Sequence, residues 1–454
     1  MTAGFSFHGA LIHSLGPNEV EILEQAGLIV DSDGIISSFS RNVSAEEFSK
    51  QVPGDALLYT LPKGHFLMPG FIDTHNHAPQ WAMRGLGQGL HILDWLDKVT
   101  FPHEARFSDP VYARKVYESC VDGFLNQGIT TASYYGSKHA EATQILADIC
   151  LNKGQRAFVG KCNMDRNAPS YLHDESAKSS LQETVDCVKY IRNIDPTGGL
   201  VRPILTPRFA ISCTSELLAG LGRMAGEDPE LAIQTHFNEA EQEIKATREL
   251  FPEFSSEADL YHHFGLLNQR SILAHCTFMT DYEMEKVREY GCGVAHCPIS
   301  NMTVGGGFMA ASIRQFLDRG IKVGLGTDSG GGFSSSMLDS IRQAVIASNA
   351  REVMSGGTDK ALSLNEVFYL STLGGAKVCC LEDKVGNFAV GKEFDALWLT
   401  CPLESFGVMT VREESDTLRT VFEKFLMTGD DRNIARVFVK GRLVKDVLTA
   451  ENAM

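Results

Sequence analysis

Eight short apolar runs, rich in β-branched and aromatic residues, recur along this chain at 66–72, 129–134, 157–161, 201–206, 231–234, 272–274, 293–295 and 323–325. Continuously apolar strands are buried on both faces, which marks a parallel sheet, and parallel neighbours need long, usually helical, crossovers. Helix-period patterns occur between them at 111–125, 179–192, 214–225, 281–290, 309–318 and 336–350. Eight such βα units can close on themselves, so the spacing predicts an α/β fold of the (β/α)8 TIM-barrel type. The predicted barrel covers 69–385, more than the usual ~250 residues, with the excess in the first connection, 78–107. Gly85, Gly87 and Gly89 mix there with Trp95 and Phe101, as in a lid or substrate-contacting loop, or equally in a packed surface loop. The stretches 1–68 and 386–454 read as short strands and turns, with hairpin-like patterns at 385–399 and 436–444. These two ends are expected to pair into one small composite β-sandwich domain.

Polar residues of one kind gather at the ends of those runs. His75 and His77 are two apart, and an extended strand points both imidazoles to one side. Such a pair taken alone is often just a surface feature. Here His236, His275 and Asp328 follow other apolar runs, so five ligands or ligand partners sit at the ends of four predicted strands. Barrels of this type carry their chemistry at that end. Nitrogen and oxygen donors in this combination suit a borderline cation such as zinc.

Composition removes several classes of function. A net charge of −16 and a pI near 5.4 exclude a nucleic-acid partner, because phosphates demand Lys and Arg patches. The chain has no apolar run near the ~18 residues of a membrane span, and its start has no basic segment leading a signal core. A cytoplasmic protein with no membrane partner is expected. Eleven irregularly spaced cysteines without a Cys-X-X-Cys pair read as reduced thiols, with Cys276 and Cys297 as packed core. In that compartment the Asn42 and Asn301 sequons are silent. Gly305–307 and Gly330–332 lack the Lys and Ser/Thr of a phosphate cradle and read as flexible loops.

Several segments, in order, resemble the amidohydrolase superfamily: Pro69-Gly-Phe-Ile-Asp-Thr-His-Asn-His77, Gln234-Thr-His-Phe-Asn-Glu239, Leu273-Ala-His-Cys276, Ala295-His-Cys-Pro-Ile-Ser-Asn301 and Gly324-Leu-Gly-Thr-Asp-Ser-Gly330. The resemblance extends through Val385-Gly-Asn-Phe-Ala-Val-Gly-Lys-Glu-Phe-Asp395 and so covers nearly the whole chain. Within that superfamily the chain most resembles the eukaryotic-type guanine deaminases, through His77-Ala-Pro-Gln-Trp81, Thr100-Phe-Pro-His-Glu-Ala-Arg-Phe107, Thr206-Pro-Arg-Phe209 and Gly429-Asp-Asp-Arg-Asn433 among others.

The resemblance implies zinc, one per chain, on His75, His77, His236 and Asp328, with His275 beside it. Relatives with two metals carry a carbamylated lysine at the end of the fourth strand. Arg208 stands there in this chain, and a guanidinium cannot become a bridging carbamate. Glu239 is expected to pass a proton to a ring nitrogen of guanine, Asp328 to orient the attacking water and relay its proton, and His275 to hydrogen-bond the same oxygen. Gln80, Trp81, Arg208 and Phe209 are the implied substrate contacts, with His236, Glu239 and Asp328 also facing the ring. His296 is expected to be a packed or supporting residue. The implied activity is hydrolysis of guanine to xanthine and ammonia by a homodimer. Alternatives are another zinc aminohydrolase or chlorohydrolase acting on a different purine, pyrimidine or triazine, or a non-catalytic scaffold.

Overall fold

A computed structural model describes residues 4–54, 56–304, 308–403 and 410–448. Gly305–307, read above as a flexible loop, lies outside the described residues. The N-terminal strands are β1 (Phe5–Gly16), β2 (Glu19–Val30), β3 (Ile36–Arg41), β4 (Leu57–Thr60) and β5 (His65–Pro69). Next come β6 (Phe71–His77), β7 (Ile129–Tyr135), β8 (Arg156–Gly160), β9 (Cys162–Asn163), β10 (Val201–Pro207), β11 (Ala232–Phe237), β12 (Ser271–His275), β13 (Gly293–His296) and β14 (Lys322–Leu325). The chain finishes with β15 (Ala396–Thr400), β16 (Ile434–Val439) and β17 (Arg442–Asp446).

The strands β6, β7, β8, β10, β11, β12, β13 and β14 pair in that order, all parallel, and β9 extends the edge of β10. Each falls on one of the eight predicted runs. The seam between β14 and β6 closes at the C-terminal end: Thr74 Oγ1 donates to the Leu325 carbonyl at 2.8 Å, and the Asp328 and His77 amides donate across it at 2.9 and 3.1 Å. Inside, Ile72, Phe158, Ile204 and Ile272 pack on a plug from Ala376, Val378, Leu381 and Val385. A filled lower barrel leaves polar side chains only one place to gather, the rim at the strand C-termini.

The first run is two strands rather than one. Residues 65–69 belong to the terminal sheet and 71–77 to the barrel, with Gly70 between them. A Cβ on Gly70 would lie 2.1 Å from Thr130 Oγ1, so only glycine lets the chain cross from one sheet to the other here. His75 and His77 therefore lie within a strand, not after it.

The helices start and stop on local chemistry. Asp109 caps Pro110–Asn126, Ser176 forms a reciprocal capping box on Ala177–Ile194, and Thr214 caps Ser215–Glu227. The reading at 309–318 shortens to Ile313–Asp318, and helices Ala140–Lys153, Glu241–Leu250 and Glu257–His263 were not expected.

The two chain ends do pair. Their strands form one continuous sheet in the order β17, β16, β15, β5, β1, β2, β3, with β4 also on β1. In a flat sheet β16 and β1 would stand about 14 Å apart. Phe438 and Phe7 have ring centroids at 5.5 Å, so the sheet folds over on itself around a separate core of Phe7, Leu28, Phe394 and Trp398. The hairpin at Ile434–Val439 and Arg442–Asp446 forms as read. The one expected at 385–399 does not. Only Ala396–Thr400 is a strand, because Phe388 and Phe394 drop into the sheet core instead of pairing.

Candidate metal centre and active site

At the barrel rim, β6 brings His75 and His77, β11 brings His236, and the ring nitrogens of all three lie within 4.8 Å of one another. His77 Nε2 and His236 Nε2 are 3.1 Å apart, and Asp328 Oδ1 stands 3.3 Å from His75 Nε2 and 3.6 Å from His77 Nε2. A tetrahedral ion with bonds of about 2.0–2.1 Å holds its donors about 3.3 Å apart, so these separations fit a bound cation. Two further observations support the fit. His75 Nε2 is buried and has no hydrogen-bond partner. His236 Nδ1 meets the Arg208 carbonyl at 2.6 Å, which fixes that nitrogen as the donor and leaves Nε2 with its lone pair facing the cluster. Burial pushes all three imidazoles well below their ordinary values, so they are neutral near pH 7, as ligands must be.

Behind them Asp73 accepts from Thr327 Oγ1 at 2.6 Å, from the Thr327 amide at 3.0 Å and from the His75 amide at 3.2 Å. This carboxyl locks β6 to the segment carrying Asp328, and burial pushes it up to about 7.

On the opposite side stand Glu239 and His275. His275 Nε2 is 3.6 Å from Glu239 Oε2 and 4.0 Å from Asp328 Oδ2, and its Nδ1 meets Asn301 Oδ1 at 2.8 Å. With that oxygen as acceptor, Nδ1 carries the proton and Nε2 is bare. Burial, with the Asp328 carboxylate nearby, pushes Glu239 well above the usual carboxylate range. A cation at the imidazole cluster acts in the other direction. Asn238, His275, Cys276 and Asp328 all have positive φ, at 46°, 74°, 48° and 43°. Left-handed backbone at non-glycine residues costs of order 1–3 kcal/mol each and concentrates where geometry serves chemistry.

One cavity is lined by Gln80, Arg208, Phe209, His236, Glu239 and Asp328 together. Its apolar wall comes from Ile92, Trp95 and Leu96, so the first connection does cover the site, as a chain of short helical turns. Trp81, expected against the substrate, points elsewhere. It packs on Phe124 with ring centroids at 5.3 Å, donates to Ser119 Oγ at 3.0 Å, and carries the Arg84 guanidinium on its face. Trp95 is the tryptophan of the cavity. His296 is buried outside the imidazole cluster, with its ring pushed down to about 3 by burial. Cys276 and Cys297 are buried, as read.

The sequence reading left Glu104 out of the site. It is buried and accepts from Gln80 Nε2 at 2.8 Å and Arg208 Nη1 at 2.7 Å. Glu104 lies within Thr100–Phe107, one of the segments that carry the resemblance, but that connection has no periodic pattern to mark the carboxylate itself as a site residue.

The chain matches the model of the amidohydrolase family over residues 66–444. Guanine deaminase from Dictyostelium discoideum is 39% identical over 97% of this chain and 98% of its own length. Guanine deaminase from Rattus norvegicus is 38% identical over 96% of each chain. Among solved structures, guanine deaminase from C. acetobutylicum with guanine bound in its active site superposes with a TM-score of 0.87 at 31% identity, covering 97% of this chain and 99% of that one. With this fold, the imidazole cluster on β6 and β11, and these relatives, the chain belongs to the amidohydrolase family, in its guanine deaminase branch.

Proposed function

We propose that the chain is a zinc-dependent hydrolase that converts guanine to xanthine and ammonia. The observation that carries this reading is a single cavity lined by His77, His236, Glu239 and Asp328 together with the hydrogen-bonding groups of Gln80 and Arg208, with the His75 imidazole completing the cluster. A relative of the same fold binds guanine in its active site.

His75, His77, His236 and Asp328 would hold one zinc per chain. Zinc bound there supplies a Lewis acid that draws the pKa of a coordinated water toward neutrality. The protein's own groups do the rest. Arg208 donates to the carbonyl of guanine, Gln80 meets the ring edge, and Phe209 packs on the ring. Glu239 takes a proton from the attacking water and delivers it to the ring nitrogen beside the amine-bearing carbon, which makes that carbon a better electrophile. The bare Nε2 of His275 accepts a hydrogen bond from the same water and holds it in place, while the water's two protons leave through Glu239 and Asp328. Asp328 orients the water and relays the second proton to the amine, which leaves as ammonia. A homodimer and a cytoplasmic location are the family's expectation for this chain. Among the described residues no helix is long and apolar enough to cross a membrane.

Elemental analysis and a guanine assay on the same preparation, before and after chelation, test this. Near one zinc per chain, activity lost on chelation, and activity restored by zinc are the expected results. Two tightly held metals per chain, or undiminished turnover after metal removal, would contradict it.

A further inference from the structure

We propose that Glu104 is a positioning residue that sets the hydrogen-bond polarity of the substrate cavity by holding Gln80 and Arg208 through one oxygen each. The proposal rests on the guanine reading above.

Glu104 closes the short helix Phe101–Glu104 within the first connection. It has 2% of its surface exposed, against 1% for Gln80 and 3% for Arg208, so none of the three is satisfied by bulk water. Oε1 accepts from Gln80 Nε2 at 2.8 Å, and Oε2 accepts from Arg208 Nη1 at 2.7 Å. Two consequences follow from these contacts.

An amide has one donor end and one acceptor end. A carboxylate accepts only, so it fixes Nε2 of Gln80 on its own side and turns Oε1 the other way, where the Gly330 amide approaches at 3.4 Å. Gln80 therefore offers an acceptor. Arg208 is the complementary case. Its guanidinium stays charged when buried, and pairs through Nη1 with the Glu104 carboxylate at 2.7 Å. Its donors beyond Nη1 stay free to meet an acceptor, and the pair as a whole is neutral, as suits a neutral base.

Guanine places a carbonyl acceptor beside ring and exocyclic N–H donors, which complements this donor and acceptor pair. Glu104 hydrogen-bonds Gln80 and Arg208 and none of the imidazoles of the cluster. Its effect is on which base is held, and in which orientation.

The test compares metal-loaded parent, Glu104→Gln and Glu104→Asp with guanine and with 2-aminopurine, which has the same amine but no carbonyl. In Glu104→Gln the Gln80 amide is free to flip and Arg208 loses its counter-charge. KM for guanine should rise about tenfold or more with a smaller fall in kcat, and the preference for guanine over 2-aminopurine should shrink about tenfold, at unchanged metal content. Glu104→Asp keeps the charge with a shorter reach, and should move both readouts the same way by less. It also carries the test if Glu104→Gln does not fold. A folded, metal-loaded variant that loses efficiency equally for both purines would overturn the positioning role and leave only a structural one. A parent inert toward guanine sinks the substrate reading and this proposal together; an active parent whose variants keep its preference sinks this proposal alone.

Discussion

Glu239 and His236 are three residues apart, and the strand end brings both to the same cavity, His236 among the imidazoles of β6 and Glu239 beside His275, where the proposed roles differ. Their substitutions should separate accordingly. Glu239→Gln keeps shape and reach but cannot accept a proton, so metal should stay bound while kcat falls by at least ~10², as read by elemental analysis beside steady-state kinetics. A variant retaining most of its rate would remove Glu239 from the proton path. Arg208→Lys supplies charge without the planar fork, so it should lower kcat/KM for guanine by about tenfold or more and leave metal content alone. The imidazoles were legible because the two-residue spacing on an apolar run fixes direction as well as position. Trp81 was misread because it follows Gln80 within a 3₁₀ turn, where successive side chains diverge by about 120°. The left-handed backbone at His275 and Cys276 has no signal in residue type at all.

At the scale of elements, all eight barrel strands could be read because each carries a short β-rich apolar stretch and is buried along nearly all of its length. Helices depended on how much apolar surface they bury. Helix Glu241–Leu250 buries only Glu243 and Thr247, so it has no apolar stripe to recognise. Packing between elements was invisible where it depends on the absence of a side chain. Gly222 in helix Ser215–Glu227 is such a place: a Cβ there would lie 1.6 Å from the Phe264 carbonyl oxygen. Gly222→Ala should destabilise the protein by about 1–3 kcal/mol through overpacking against backbone, measured as a shifted denaturant midpoint, with metal content unchanged. A neutral or stabilising effect would show that the two helices can part without cost.

Across the whole molecule, the terminal sheet and the barrel are joined at the end away from the chemistry. Arg156, the first residue of β8, meets Glu393 Oε2 at 2.6 Å and Asp395 Oδ1 at 3.1 Å, and the three side chains are 3%, 8% and 2% exposed. Arg156→Met removes the close cation from two buried carboxylates, leaving only Lys440 Nζ 3.9 Å from Glu393, and should cost about 3–5 kcal/mol in chemical unfolding, while the folded fraction keeps its kcat. This junction links residues more than two hundred positions apart, and no local pattern announces it. The catalytic reading has one direct test, which is initial rates of ammonia release by the zinc-loaded protein from guanine, adenine and cytosine side by side. Guanine should be converted to xanthine with one ammonia per turnover, and adenine and cytosine should be at least ~10²-fold poorer in kcat/KM. Equal use of the three bases, or no turnover of guanine by a fully loaded preparation, would contradict it.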